Sequence, residues 1–138
     1  MSTYVLDTDT ATLLLRGHAR VSQHVAQVEA EDLSVMIITV EEILTGWYSQ
    51  IRRAKKDVQL LRAYAALQQA VEFLGRIRIL SLDPKALQRF HDFRAGKHRL
   101  GSNDLKIAAI VDRHGATLVT RNMRDFKQLP GMKLEDWS

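Results

Sequence analysis

Four acidic side chains fall at the edges of apolar segments. Asp7 ends the run Tyr4-Val5-Leu6, Glu42 follows Val35-Met36-Ile37-Ile38, Asp104 opens the stretch Leu105-Lys106-Ile107-Ala108-Ala109-Ile110-Val111, and Asp125 lies just past Ala116-Thr117-Leu118-Val119. In an open parallel sheet the carboxyl ends of the strands share one edge, and binding sites form there. Carboxylates gathered at such an edge repel one another by about 4 kcal/mol per pair at ~4 Å and an effective dielectric near 20. A hard divalent cation relieves that repulsion, and Mg²⁺ and Mn²⁺ favour oxygen ligands. The acids therefore predict a metal site for Mg²⁺, with Mn²⁺ as the alternative, on an α/β scaffold.

The elements that must carry those residues alternate along the chain. Strand signals span residues 3–6, 34–38, 76–80 and 117–119, with a fifth short strand at 132–134. Helical patterns span 11–15, 20–30, 41–55, 58–74, 85–95 and 104–114. Val21, Val25 and Val28 give the second of these an apolar face. Pro84 suits a helix start and Gly115 a helix stop. Such alternation implies parallel pairing through right-handed crossovers, in one domain covering residues 1–138. The expected fold is α/β, with a central, mostly parallel sheet of four to five short strands flanked by helices.

With 138 residues, 46% hydrophobic and 26% charged, the chain has the size and balance of one globular domain. No apolar run approaches the ~20 residues that cross a bilayer, and Met1-Ser2-Thr3-Tyr4 lacks the basic start of a secretory leader. Cysteine is absent, which removes disulfides and thiolate zinc sites. The expected address is the cytoplasm, with no membrane partner. A net charge of +4 and an isoelectric point near 9.6, despite the clustered acids, suit a phosphate-backbone substrate.

Each acid also has a purely structural role open to it. Asp7 can cap the following helix, Asp104 can answer a helix dipole, and Thr39 with Glu42 has the spacing of a capping box, as has Asn122 with Asp125. Capping does not require every acid to share one sheet edge, and helix starts would hold ligands rigid, so the two roles are compatible. The basic loop between Arg94 and Asp104, with Lys97 and Arg99, can track a phosphate backbone. The cluster Arg52-Arg53-Ala54-Lys55-Lys56 reads as a solvated helix face, the five histidines as surface residues, and Trp47 and Tyr48 as core or dimer contacts.

Four motifs in order resemble one family. They are Val5-Leu6-Asp7-Thr8-Asp9; Thr39-Val40-Glu41-Glu42-Ile43-Leu44-Thr45-Gly46; Ser102-Asn103-Asp104-Leu105-Lys106-Ile107-Ala108-Ala109; and Thr120-Arg121-Asn122-Met123-Arg124-Asp125-Phe126. The chain resembles the PIN-domain ribonucleases, and within them the VapC-type toxins of toxin–antitoxin modules, from Val5 to Trp137. The acid followed four residues later by glycine selects Glu42 over Glu41. The resemblance implies a metal-dependent endoribonuclease hydrolysing RNA phosphodiester bonds, with a small cognate antitoxin as partner and a homodimeric state. Asp7, Asp104 and Asp125 are then the expected ligands, with Glu42 binding through water or positioning the attacking water. Thr120, Asn122 and Asp9 are supporting residues, and Arg121 joins Lys97 and Arg99 as an RNA contact.

Two rival classes remain open. Asp7-Thr8-Asp9-Thr10 after an apolar strand also resembles a haloacid-dehalogenase phosphatase, although the chain is short for one and Asp104 follows a basic loop. A ribonuclease-H-like acidic site fits the helix-rich middle poorly. A non-catalytic RNA-binding module would use the same acids for structure alone.

Overall fold

A computed structural model describes residues 3–138; Met1 and Ser2 of the expected leader-free start lie outside them. Five strands, β1 (Tyr4–Leu6), β2 (Leu33–Met36), β3 (Arg78–Leu80), β4 (Thr117–Val119) and β5 (Lys133–Glu135), form one sheet in the order β3-β2-β1-β4-β5. Every neighbouring pair is parallel, so the expected α/β class holds with a wholly parallel sheet. The helices are α1 (Thr8–Leu15), α2 (Ala19–Ala26), α3 (Ile37–Arg53), α4 (Asp57–Leu74), α5 (Pro84–Arg94), α6 (Ser102–Arg113) and α7 (Met123–Phe126).

Successive strand residues point to opposite faces, and here both faces are apolar. Val5, Met36 and Leu118 pack with α5 and α6 through Phe90, Phe93 and Ile110. Leu6, Val35 and Val119 pack on the other side with Ala11, Val21, Ile43 and Ala70 from α1 to α4. The sheet is thus covered on both faces, and its carboxyl edge is the surface left for a site. The chain runs outward from β1 through β2 to β3, then returns to place β4 on the other side of β1. The crevice between the ends of β1 and β4 is the topological switch point, where open α/β sheets bind ligands.

Several boundaries differ from those the sequence predicts. The run Val35-Met36-Ile37-Ile38 is not all strand, because α3 begins at Ile37. Thr39 therefore lies inside the helix with its buried hydroxyl unpartnered, and the capping box with Glu42 does not form. The second helix ends at Ala26 and a 3₁₀ turn covers Ala30–Asp32. The fifth strand sits one residue later than expected, fixed by Leu118 pairing with Leu134. Gly115 ends α6 as expected, with φ +60°, a conformation other residues resist.

Candidate metal centre

Asp7 follows β1 directly, and its backbone N–H donates to Val119 O of β4 at 3.1 Å, which pins it at the switch point. It caps α1: Oδ1 accepts from the Thr10 N–H at 2.9 Å. The carboxylate is buried, and loss of water raises its pKa above the ordinary 3.8. Hydrogen bonding from Thr120 and Thr10 pulls the other way without cancelling that effect, and Asp9 adds repulsion. Capping and a site role thus coincide in one side chain.

Glu42 reaches the same cleft from α3, nearly two turns into the helix, where no dipole or cap holds it. Two neighbours hold it instead. Thr8 Oγ1 donates to Glu42 Oε1, and Asn103 Nδ2 donates to Oε2 at 3.3 Å. Sequence reasoning assigned neither residue a role. The available signal was their position, each adjacent to an expected ligand.

Asp104 lies in the first turn of α6. Its pKa is raised, first by partial burial and then by the charges of Glu42, Asp125 and Asp7. That one carboxylate feels the other three is the electrostatic signature of a gathered acidic site.

Asp7, Asp9, Glu42, Asp104 and Asn122 line one cleft of about 160 Å³. Asp125 does not line the cleft but bonds to a residue that does: Asn122 Nδ2 donates to Asp125 Oδ2 at 3.0 Å, and the Asn122 N–H donates to Thr120 Oγ1 at 2.9 Å. Asn122 precedes α7 without a side-chain cap bond, so its pairing with Asp125 is not a capping box. Among the described residues, no three acidic or histidine side chains close into a ready coordination cluster. The donor set still fits Mg²⁺, which binds through one or two carboxylates and retains several waters. All the acidic donors are hard oxygens, and both causes of the raised pKa values, burial first and neighbouring anions second, are offset by a bound cation.

The other candidates are placed less closely. Lys97, Arg99 and Arg121 are exposed, and none of them lines the acidic cleft. The Arg99 N–H donates to Gln128 Oε1 at 3.0 Å, tying the basic loop to the segment after α7. His98 is a loop staple rather than a free surface residue: it pairs with Phe93 O at 2.6 Å while its Nδ1 accepts from the Leu100 N–H. His18 caps α2. Trp47 is a half-buried wall beside the cleft, and Tyr48 is exposed.

The family model described as PIN domain matches residues 4–132. A tRNA(fMet)-specific endonuclease VapC of Salmonella typhimurium is 26% identical over 141 residues, covering 99% of each chain. Ribonuclease VapC2 of Haemophilus influenzae is 28% identical, again with 99% of each chain covered. The solved structure of VapBC2 from Rickettsia felis, bound to a DNA fragment from their promoter, superposes with a TM-score of 0.78 at 25% identity and 99% coverage of each chain.

Proposed function

Because the chain belongs to the PIN domain family, we propose that it is a metal-dependent endoribonuclease, the toxin of a VapBC-type toxin–antitoxin pair. The observation that carries the reading is the delivery of Asp7, Glu42 and Asp104, from three separate elements, to one cleft at the switch point. The curated relatives are named as ribonucleases and the structural neighbour is a toxin–antitoxin complex, which supports the class. Neither comparison favours the phosphatase or the non-catalytic binding module.

Asp7, Asp104 and Glu42 would hold Mg²⁺ or Mn²⁺, with Asp125 acting on the cleft through Asn122. When bound, the cation supplies Lewis-acid stabilisation of charge on the phosphoryl group and lowers the pKa of water. Glu42 keeps an acceptor lone pair on each oxygen beyond its bonds to Thr8 and Asn103. It can therefore accept a proton from the attacking water and hold that water in line with the scissile bond. Asn122 has a second amide hydrogen for a phosphate oxygen, and its bond to Asp125 fixes the amide plane. Lys97, Arg99 and Arg121 would hold flanking phosphates.

The antitoxin is proposed to cover the cleft mouth, with an Arg among the acids in place of the cation. A homodimer is supported by an apolar row on the outer face of α4, where Leu61, Tyr64 and Val71 are exposed. The described residues contain no helix long and apolar enough to cross a membrane, and the cytoplasm is the proposed address. The test is cleavage of bulk tRNA by the purified chain with Mg²⁺, with Mn²⁺ and with EDTA, beside Asp104→Asn. Cleavage should require the ion and the carboxylate; full activity of Asp104→Asn with intact circular dichroism would remove the proposed centre.

A further inference from the structure

A second, larger pocket of about 420 Å³ opens beside the acidic cleft, and Thr8 and Glu42 line both. Two helical rows wall it. Thr8, Thr12 and Arg16 recur every four residues along α1 to its cap, and Glu42, Gly46 and Gln50 do so along α3. Such spacing keeps each row on one helix face, and each row runs about 12 Å away from the acids. Trp47 completes the wall.

Gly46 is the informative residue. It lies inside α3 with no positive φ, and a Cβ there would meet nothing within 4 Å. A glycine inside a helix is destabilising relative to alanine, and neither backbone geometry nor close packing requires one here. What it provides is close approach of something from outside to the helix backbone. Arg16 is exposed and makes no ion pair among the described residues. The lining combines the apolar faces of Ile43 and Trp47 with the polar ends of Thr8, Thr12, Arg16 and Gln50, which suits a nucleotide, apolar on its base faces and polar at its edges. The pocket therefore offers a cation, hydrogen-bonding groups and one indole, the combination that single-stranded RNA uses for phosphate, base edge and base face.

We propose that this pocket is a nucleotide subsite for single-stranded RNA, holding the residue next to the scissile phosphate. Trp47 packs against the base, Arg16 pairs with the adjoining phosphate, and the bare backbone at Gly46 admits the base. The assignment rests on the ribonuclease reading above.

The test uses the full chain with Trp137→Phe, leaving Trp47 as the sole indole, and with Asp7→Asn to block cleavage. A single-stranded oligoribonucleotide should quench Trp47 fluorescence saturably. Gly46→Leu and Arg16→Ala should each weaken that binding about tenfold. Gly46→Ala should raise the melting temperature by roughly 2–4 °C and yet weaken RNA binding, a combination that a merely structural glycine does not give. With Asp7 restored, Gly46→Leu should raise KM for RNA cleavage. Unchanged quenching in Gly46→Leu and Arg16→Ala overturns the subsite, as does a Gly46→Leu protein that cleaves RNA normally and loses only affinity for a protein partner. If the chain binds RNA at Trp47 but never cleaves any RNA with Mg²⁺ or Mn²⁺, the ribonuclease reading fails, and with it the place of this pocket beside a scissile phosphate, while RNA binding by the pocket stands.

Discussion

Asp7 carries a cap and a charge in the same carboxylate, and two substitutions separate them. Asparagine keeps an oxygen to accept the Thr10 N–H now bonded at 2.9 Å, whereas alanine does not. Asn and Asp are nearly equal as N-caps, and losing the cap to alanine removes about 1 kcal/mol. Asp7→Asn also removes a charge whose burial and proximity to Asp9 already oppose ionisation. That relief offsets the few tenths of a kcal/mol to ~1 kcal/mol of favourable helix-dipole interaction that goes with the charge. The metal-free Asp7→Asn protein should therefore melt at or above the temperature of the unaltered chain. Asp7→Ala should fall below Asp7→Asn by roughly 3–5 °C for a domain of this size.

Both variants should lose RNA cleavage, and neither should show the rise in melting temperature that Mg²⁺ gives the unaltered chain by binding the folded state. Differential scanning calorimetry without and with Mg²⁺, beside a tRNA cleavage assay, reads all three quantities. Equal destabilisation by Asn and Ala would refute the separation of cap from charge. Normal cleavage by either variant would refute the placement of Asp7 at the reacting centre.

Asp7 and Asp104 both titrate above the ordinary 3.8, so between that value and their raised folded values the folded chain holds more protons than the unfolded one. Metal-free stability contributed by these groups should fall as pH rises through that window and level off above it, and Asp104→Asn should flatten the fall in a pH series of urea melts. Lys97→Ala with Arg99→Ala should lower RNA affinity and reduce the slope of log affinity against log salt by about 1.4, the value for two phosphate contacts on a single strand; an unchanged slope returns the loop to solvent. Expression of the chain should arrest growth, Asp7→Asn should not, and an adjacent antitoxin gene should restore growth; harmless expression of a folded, RNA-cleaving chain would point to a housekeeping nuclease.

The sheet edge was legible because β1 and β4 are short apolar runs ended by polar residues, so Asp7 and Thr120 could be placed without coordinates. The start of α3 was not. Val35-Met36-Ile37-Ile38 is apolar on both sides of the strand-to-helix boundary, and neither a period of two nor one of 3.6 can be read from four consecutive apolar residues. That ambiguity produced the capping box at Thr39, which would need the helix to begin three residues later than it does. Helix α7 has four residues, too few to show a period, so the bond from Asn122 to Asp125 became visible only in space.

Thr8 and Asn103 were missed for a different reason, and that reason bears on how the centre works. Polar residues beside a helix start are ordinary, so nothing in their types marks them. Their importance comes from Glu42, which stands well inside α3 and lacks the N-terminal environment that restrains Asp7 and Asp104. Its two oxygens are held by the residue after Asp7 and the residue before Asp104. Each flanking acid therefore brings with it the side chain that orients Glu42, and a shift of either α1 or α6 would move a carboxylate and a tether together. Helix starts and acid placement are one arrangement: Asp7 caps α1, Asp104 sits in the first turn of α6, and the side chains beside them fix the third carboxylate.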